Sequence, residues 1–149
     1  MVAEPAEPDV TARRPGSRRG AREQAMFVIY QADLTGTGVA DHLAAAARRA
    51  RPEELSPYVA EIVHGVDSRR AEIDAEIAAN VSGWPLERLG YMERSILRVA
   101  VWELQDSTVS PAVAVNEAVE LAKRFCAAEA AGFVNGVLGA VVRGTGEDG

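Results

Sequence analysis

Tyr91-Met92-Glu93-Arg94-Ser95-Ile96-Leu97-Arg98-Val99-Ala100-Val101-Trp102-Glu103-Leu104 is the stretch on which the fold turns. At helical period Ile96, Val99 and Ala100 fall on one line. Met92, Leu97, Val101 and Leu104 carry apolar character well round the other side. Only a narrow strip through Arg94 and Arg98, spaced i, i+4, is firmly polar. A helix that is apolar nearly all round is buried on most sides. The remaining elements are expected to pack about it.

Outward from this helix the chain reads as further helices. On the C-terminal side, Ser110-Pro111 opens one in which Val115, Ala118, Val119 and Ala122 recur at i, i+3, i+4, i+7, with Phe125 closing the stripe. On its outer face Glu120 can pair with Lys123 or Arg124, worth ~0.2–0.5 kcal/mol. The last helix holds Phe133, Val134, Val137, Leu138, Val141 and Val142. Asn135-Gly136 would mark a hairpin between alternating strands, but its flanks follow helical period. Gly136 and Gly139 inside that helix each cost ~0.5–1 kcal/mol relative to alanine, which the close approach of another helix would explain.

On the N-terminal side, Ser82-Gly83-Trp84-Pro85 is a break. Ser56-Pro57 is a start signal, a capping side chain followed by proline at the first helical position. Val59, Ile62, Val63 and Val66 continue that helix, and Ile73 and Ile77 extend its period. Gly65 to Ser68 leaves open whether it is one helix or two. A helix over about Val39–Ala50, with Val39, Leu43, Ala46 and Ala50 inward, is stopped by Pro52. The first helix begins near Arg19 or Ala21 and runs to about Leu34. Its core face is Ala21, Ala25, Val28, Ile29 and Ala32, and Gly36 and Gly38 close it.

At 149 residues the chain is one ordinary domain, able to bury roughly 68–70% of its unfolded surface. It is rich in alanine and poor in aromatics, and no stretch alternates apolar with polar residues for long. The expected class is all-α, a compact bundle of about six to seven helices. No run approaches the ~20 apolar residues of a membrane span. No apolar stretch follows the arginine pair near the N-terminus, so neither a secretory nor a twin-arginine signal is read there. A lone cysteine, Cys126, forms no internal disulfide, and the cytoplasm is the expected compartment. Residues 1–17 read as a disordered Pro-, Glu- and Arg-rich extension, 18–143 as the helical domain, and 144–149 as a frayed tail.

The net charge is −6, unevenly placed. Residues 1–12 hold three acids and no base, and residues 13–22 hold Arg13, Arg14, Arg18, Arg19 and Arg22 and no acid. Residues 23–149 hold 11 bases and 19 acids, a net of −8. Five arginines on an otherwise acidic protein read as an anion-binding patch or as a solvated tail. Arg18, Arg19 and Arg22 fall at the start of a helix, whose N-terminal N–H groups also suit phosphate. That placement favours the patch.

Little in the chain suits catalysis. His42 and His64 lie outside metal-ligand spacing with each other or with Cys126, so neither a metal nor a cofactor is expected. His64 reads as a packed histidine, and Cys126 as buried and inert. Gly36 and Gly38 lack the strand, helix and lysine of a phosphate loop.

Several blocks together resemble one family, the bacterial transcription antitermination factor NusB. They are Arg18-Arg19-Gly20-Ala21-Arg22-Glu23 leading to Tyr30-Gln31, and Glu93 to Leu104. Two more are Pro111 followed by Val115-Asn116-Glu117-Ala118-Val119-Glu120-Leu121-Ala122-Lys123-Arg124-Phe125, and Phe133-Val134-Asn135-Gly136-Val137-Leu138. The four occur in order across residues 18–140. The resemblance implies two packed helical halves and a non-catalytic protein. It also implies binding of boxA-type RNA in rRNA operon leaders together with NusE, a small-subunit ribosomal protein, within an antitermination complex with RNA polymerase. Free, such a protein is a monomer or a homodimer.

Carried over by position, Arg18, Arg19 and Arg22 would meet RNA phosphates, Glu129 and Phe133 would lie near bases, and Tyr30 and Glu93 would face NusE. Gly20 stands where the family often has arginine, and Gly132 where a lysine often precedes the phenylalanine. Arg13 and Arg14 could compensate. Phe133 and Tyr30 also read as core residues, and Glu129 as an ordinary loop residue. Two rival readings stand beside this one. The first is an accessory domain like that fused to some rRNA cytosine methyltransferases, although the chain has no room for a methyl-donor domain. The second is a purely structural helical oligomer.

Overall fold

The computed structural model describes residues 17–50, 56–81, 89–107 and 109–148, with side chains as far as Gly144. Among the described residues there are seven helices and no strand. They are α1 (Arg18–Thr35), α2 (Val39–Arg49), α3 (Pro57–Ser68), α4 (Arg70–Ala79), α5 (Tyr91–Asp106), α6 (Pro111–Phe125) and α7 (Ala130–Asp148). The chain forms two compact units, residues 1–64 and 65–149.

In the first unit, Ser17 caps α1 and its hydroxyl accepts from the Gly20 amide at 3.0 Å. Gly36 closes the helix in the left-handed region (φ 73°), its N–H donating to the Ala32 carbonyl. The expected face of Ala21, Ala25, Val28, Ile29 and Ala32 is buried, joined by Met26. α2 packs on α1. It buries only Val39, while Leu43, Ala46 and Ala50 stay partly exposed. α3 begins as Ser56-Pro57 implies, with the Ser56 hydroxyl accepting from the Tyr58 amide at 3.2 Å. The open question after Gly65 resolves as a break at Arg69, which leaves helical geometry (φ −111°, ψ 23°) between α3 and α4. His64 is exposed, not packed. Pro52, Ser82-Gly83-Trp84-Pro85, and Arg13 and Arg14 with the rest of residues 1–16 lie outside the described residues.

In the second unit α5 is the centre, packed against α4, α6 and α7. Every residue from Ser95 to Glu103 is buried, as an all-round apolar helix should be. Arg98, expected in the polar strip, is buried with the rest. Its guanidinium spans both carboxylate oxygens of Asp74 on α4, at 2.8 and 3.0 Å. A close approach to α5 comes at Gly65, where a Cβ would run into the Trp102 indole. Gly136 has open space around it, and Gly139 meets only Arg143 of its own helix, so no second helix explains those two glycines. α6 buries Ala114, Ala118, Leu121 and Ala122, and not Val115 and Val119, which sit at its edge with Phe125. Small alanines on the contact line let α6 lie close to α5 and α7. α7 continues to Asp148, so residues 144–148 are helical.

Candidate functional site

The first unit displays two of the three arginines expected at the start of α1. Arg18 and Arg19 are exposed, and the Arg18 guanidinium sits 4.7 Å from the centroid of the buried Tyr58 ring. A cation over a tyrosine face is held in place without losing its charge. The first turn carries no acid. Ser17 already occupies the Gly20 amide, so the positive character of this end comes chiefly from the two guanidinium groups.

Arg22 departs from the expectation. It is 4% exposed and engaged within the fold, so it is not displayed beside the other two. The reason is its register: positions 22, 25, 26 and 29 share one helical line, and Ala25, Met26 and Ile29 are core. That signal was already present in the sequence.

Tyr30 is half-buried on α1. With Phe27 and Leu34 it follows i, i+3, i+7 spacing, which puts the three on one face. Leu34 is 51% exposed, an apolar neighbour that the sequence reading passed over.

The second unit brings together three residues that the resemblance had divided between RNA and protein. Glu93, Glu129 and Phe133 line one cavity of about 300 Å3, floored by Gly90, Ala127 and Ala130. α5 supplies Glu93 from its first turn, and the α6–α7 connection supplies Glu129. The Phe133 amide donates to the Glu129 carbonyl at 3.3 Å as α7 begins. Phe133 is half-buried and Glu129 exposed. The Glu93 carboxylate folds back over Gly90, the residue preceding α5, where a Cβ would collide with it. An acid at this position also complements the positive end of the helix. Beside the cavity Cys126 is half-buried. Its thiol is pushed up to about 11, first by burial, then by the Glu93 charge and the hydrogen bond to that carboxylate. At Gly132 there is nothing within 4 Å of a would-be Cβ, so a larger side chain has room there.

Two acids, a phenylalanine edge and apolar walls make a pocket suited to groups that present N–H donors. It does not suit phosphate. The exposed basic groups described at α1, Arg18 and Arg19, lie in the other unit. Among the described residues no group of three or more His, Cys, Asp or Glu could hold a metal ion, and no helix is long and apolar enough to cross a membrane.

The model of the NusB family matches residues 19–143. The transcription antitermination protein NusB of Rubrobacter xylanophilus is 47% identical over 123 residues, covering 82% of this chain and 87% of that protein. Its counterpart from Symbiobacterium thermophilum is 42% identical over 138 residues, covering 86% and 90%. A crystal structure of the antitermination factors NusB and NusE in complex with dsRNA superposes with TM-score 0.75 at 30% identity, over 85% of this chain and 96% of that one. With the family model matching most of the chain and relatives 42–47% identical over most of their length, the chain belongs to the NusB family.

Proposed function

We propose that this protein is a non-catalytic, cytoplasmic transcription antitermination factor. It binds boxA-type RNA of rRNA operon leaders together with NusE, in a complex with RNA polymerase. The observation that carries this reading is the similarity, over most of both chains, to a NusB solved with NusE and dsRNA. Physical support comes from the Arg18–Arg19 pair, an exposed basic end on an acidic protein. Phosphate contacts there position the RNA, and the Glu129–Phe133 cavity contacts bases. Tyr30 and Glu93 face NusE.

A gel shift with boxA-type and scrambled RNA, with and without NusE, tests it. NusE is expected to tighten binding to the boxA-type strand. Tyr30→Asp is expected to abolish that gain while RNA binding by the protein alone persists, whereas Glu93→Lys, in the wall of the Glu129–Phe133 cavity, is expected to weaken both. A folded protein that binds both RNAs equally, and gains nothing from NusE, overturns the reading.

A further inference from the structure

The charges of the first unit are sorted along its α1–α2 hairpin. Only residues 36–38 join the two helices, so α2 turns back along α1. His42 Nε2, in the first turn of α2, lies 3.1 Å from the Thr35 hydroxyl and 2.7 Å from that of Thr37, which ties the closed end. Asp33 and Asp41 stand at this end, with no lysine or arginine between residues 30 and 42. The open end carries Arg18, Arg19 and Arg22 on α1, and Arg48 and Arg49 in the last turn of α2. Glu23, the one acid on that half of α1, is half-buried.

Arg48 and Arg49 are exposed, and among the described residues neither enters a hydrogen bond, ion pair or ring contact. Arg51, Glu53 and Glu54, next along the chain, lie outside the described residues. A base in the last turn suits the negative end of a helix dipole, which accounts for one arginine and does not call for two. At a rise of about 1.5 Å per residue, α1 is about 27 Å long and α2 about 16 Å, which leaves Arg49 roughly 10 Å short of Arg18 along the hairpin. The exposed arginines of both helices share one end of the unit.

We propose that RNA flanking the boxA-type element crosses this open end and sets phosphates on Arg48 and Arg49. This placement rests on the RNA reading above and extends the bound strand beyond Arg18 and Arg19. A single strand carries a charge at every nucleotide, so one held by the first pair of guanidinium groups has further phosphates for the second. Arginine suits the task, since its planar fork of donors matches a phosphate. Arg48 and Arg49 read no base; they lengthen the footprint and add affinity without regard to sequence.

The test is a fluorescence-anisotropy titration of the full chain with NusE at several salt concentrations. BoxA-type RNA alone is compared with the same RNA extended by an unstructured uridine tract on one side or the other. One extended RNA is expected to bind with a log–log salt slope steeper by about 1.4, two contacts at about 0.7 each. A variant carrying both Arg48→Ala and Arg49→Ala should lose that extra slope and bind the short RNA as the wild type does. Arg48→Lys with Arg49→Lys, which keeps the charge, should retain most of it. Equal slopes for short and extended RNA in the wild type, or an undiminished difference in the folded alanine variant, overturn the inference and leave the short-RNA reading standing. Failure of either RNA to bind overturns both. An alanine variant that loses NusE while the RNA slopes stay equal assigns the pair to an acidic protein surface, and the RNA placement falls.

Discussion

Cys126 and Glu93 form a coupled pair whose chemistry is measurable. The thiol, ordinarily near 9.0, is raised to about 11 by burial and by the neighbouring carboxylate. Reaction with a thiol reagent at pH 8 is therefore expected to be slow, and its rate-against-pH profile should turn near 11. Glu93→Gln should move that turn down towards 9.0 without reaching it, because burial, the larger cause, remains. Because the folded thiol holds its proton more tightly than the unfolded one, this group's contribution to stability is complete below pH 9. It is lost as pH rises through about 11.

Arg98 gives a second test at this scale. Breaking a buried ion pair leaves an uncompensated charge. Asp74→Ala is expected to cost roughly 3 kcal/mol in denaturant unfolding, the low end for such pairs, since Asp74 keeps 24% of its side-chain surface in water. Arg98→Met should cost less, because Asp74 retains Arg70 at 3.7 Å. Equal costs would mean that the pair is not what holds Arg98 inside.

Among the elements, two glycines in helices make opposite predictions. Gly65→Ala drives a Cβ into the Trp102 indole, and overpacking of that kind costs about 1–3 kcal/mol. Gly136→Ala, in the open on α7, should raise stability by about 0.5–1 kcal/mol by lowering the conformational freedom of the unfolded chain. Thermal unfolding of the two variants checks both signs. Helix ends were legible in the sequence because their causes are local. Ser56-Pro57, Gly36 and Ser110-Pro111 each act within a turn of their own position, whereas the Ser17 cap went unread and the first helix begins a residue or more before its expected start. The centrality of α5 was legible too, from its nearly continuous apolar surface. What escaped was set by distant partners. Arg98 reads as solvent-facing until Asp74, 24 residues earlier, is placed beside it. The buried line of α6 could not be told from its valines, since a face of alanines and one leucine is chosen by how closely its neighbours approach. Glu93, Glu129 and Phe133 were named from family resemblance, and their shared cavity needed the α6–α7 connection to be folded.

Across the whole molecule, charge is segregated: five arginines within residues 13–22 against a net of −8 over residues 23–149. Each phosphate contact contributes about 0.7 to the log–log salt slope on single-stranded RNA. Replacing both Arg18 and Arg19 with alanine should flatten that slope by about 1.4, with only a small change in thermal stability. Arg22→Ala, by contrast, should lower thermal stability, since its side chain is buried. An unaltered slope in the double variant would remove α1 from the RNA-binding surface. The division between the two compact units falls between His64 and Gly65, inside α3, which runs unbroken from Pro57 to Ser68. Domains normally part at exposed linkers, but here the seam is a helix. A hybrid of two relatives joined at this seam must keep one helical register through the junction, and a protease has no loose connection there to cut.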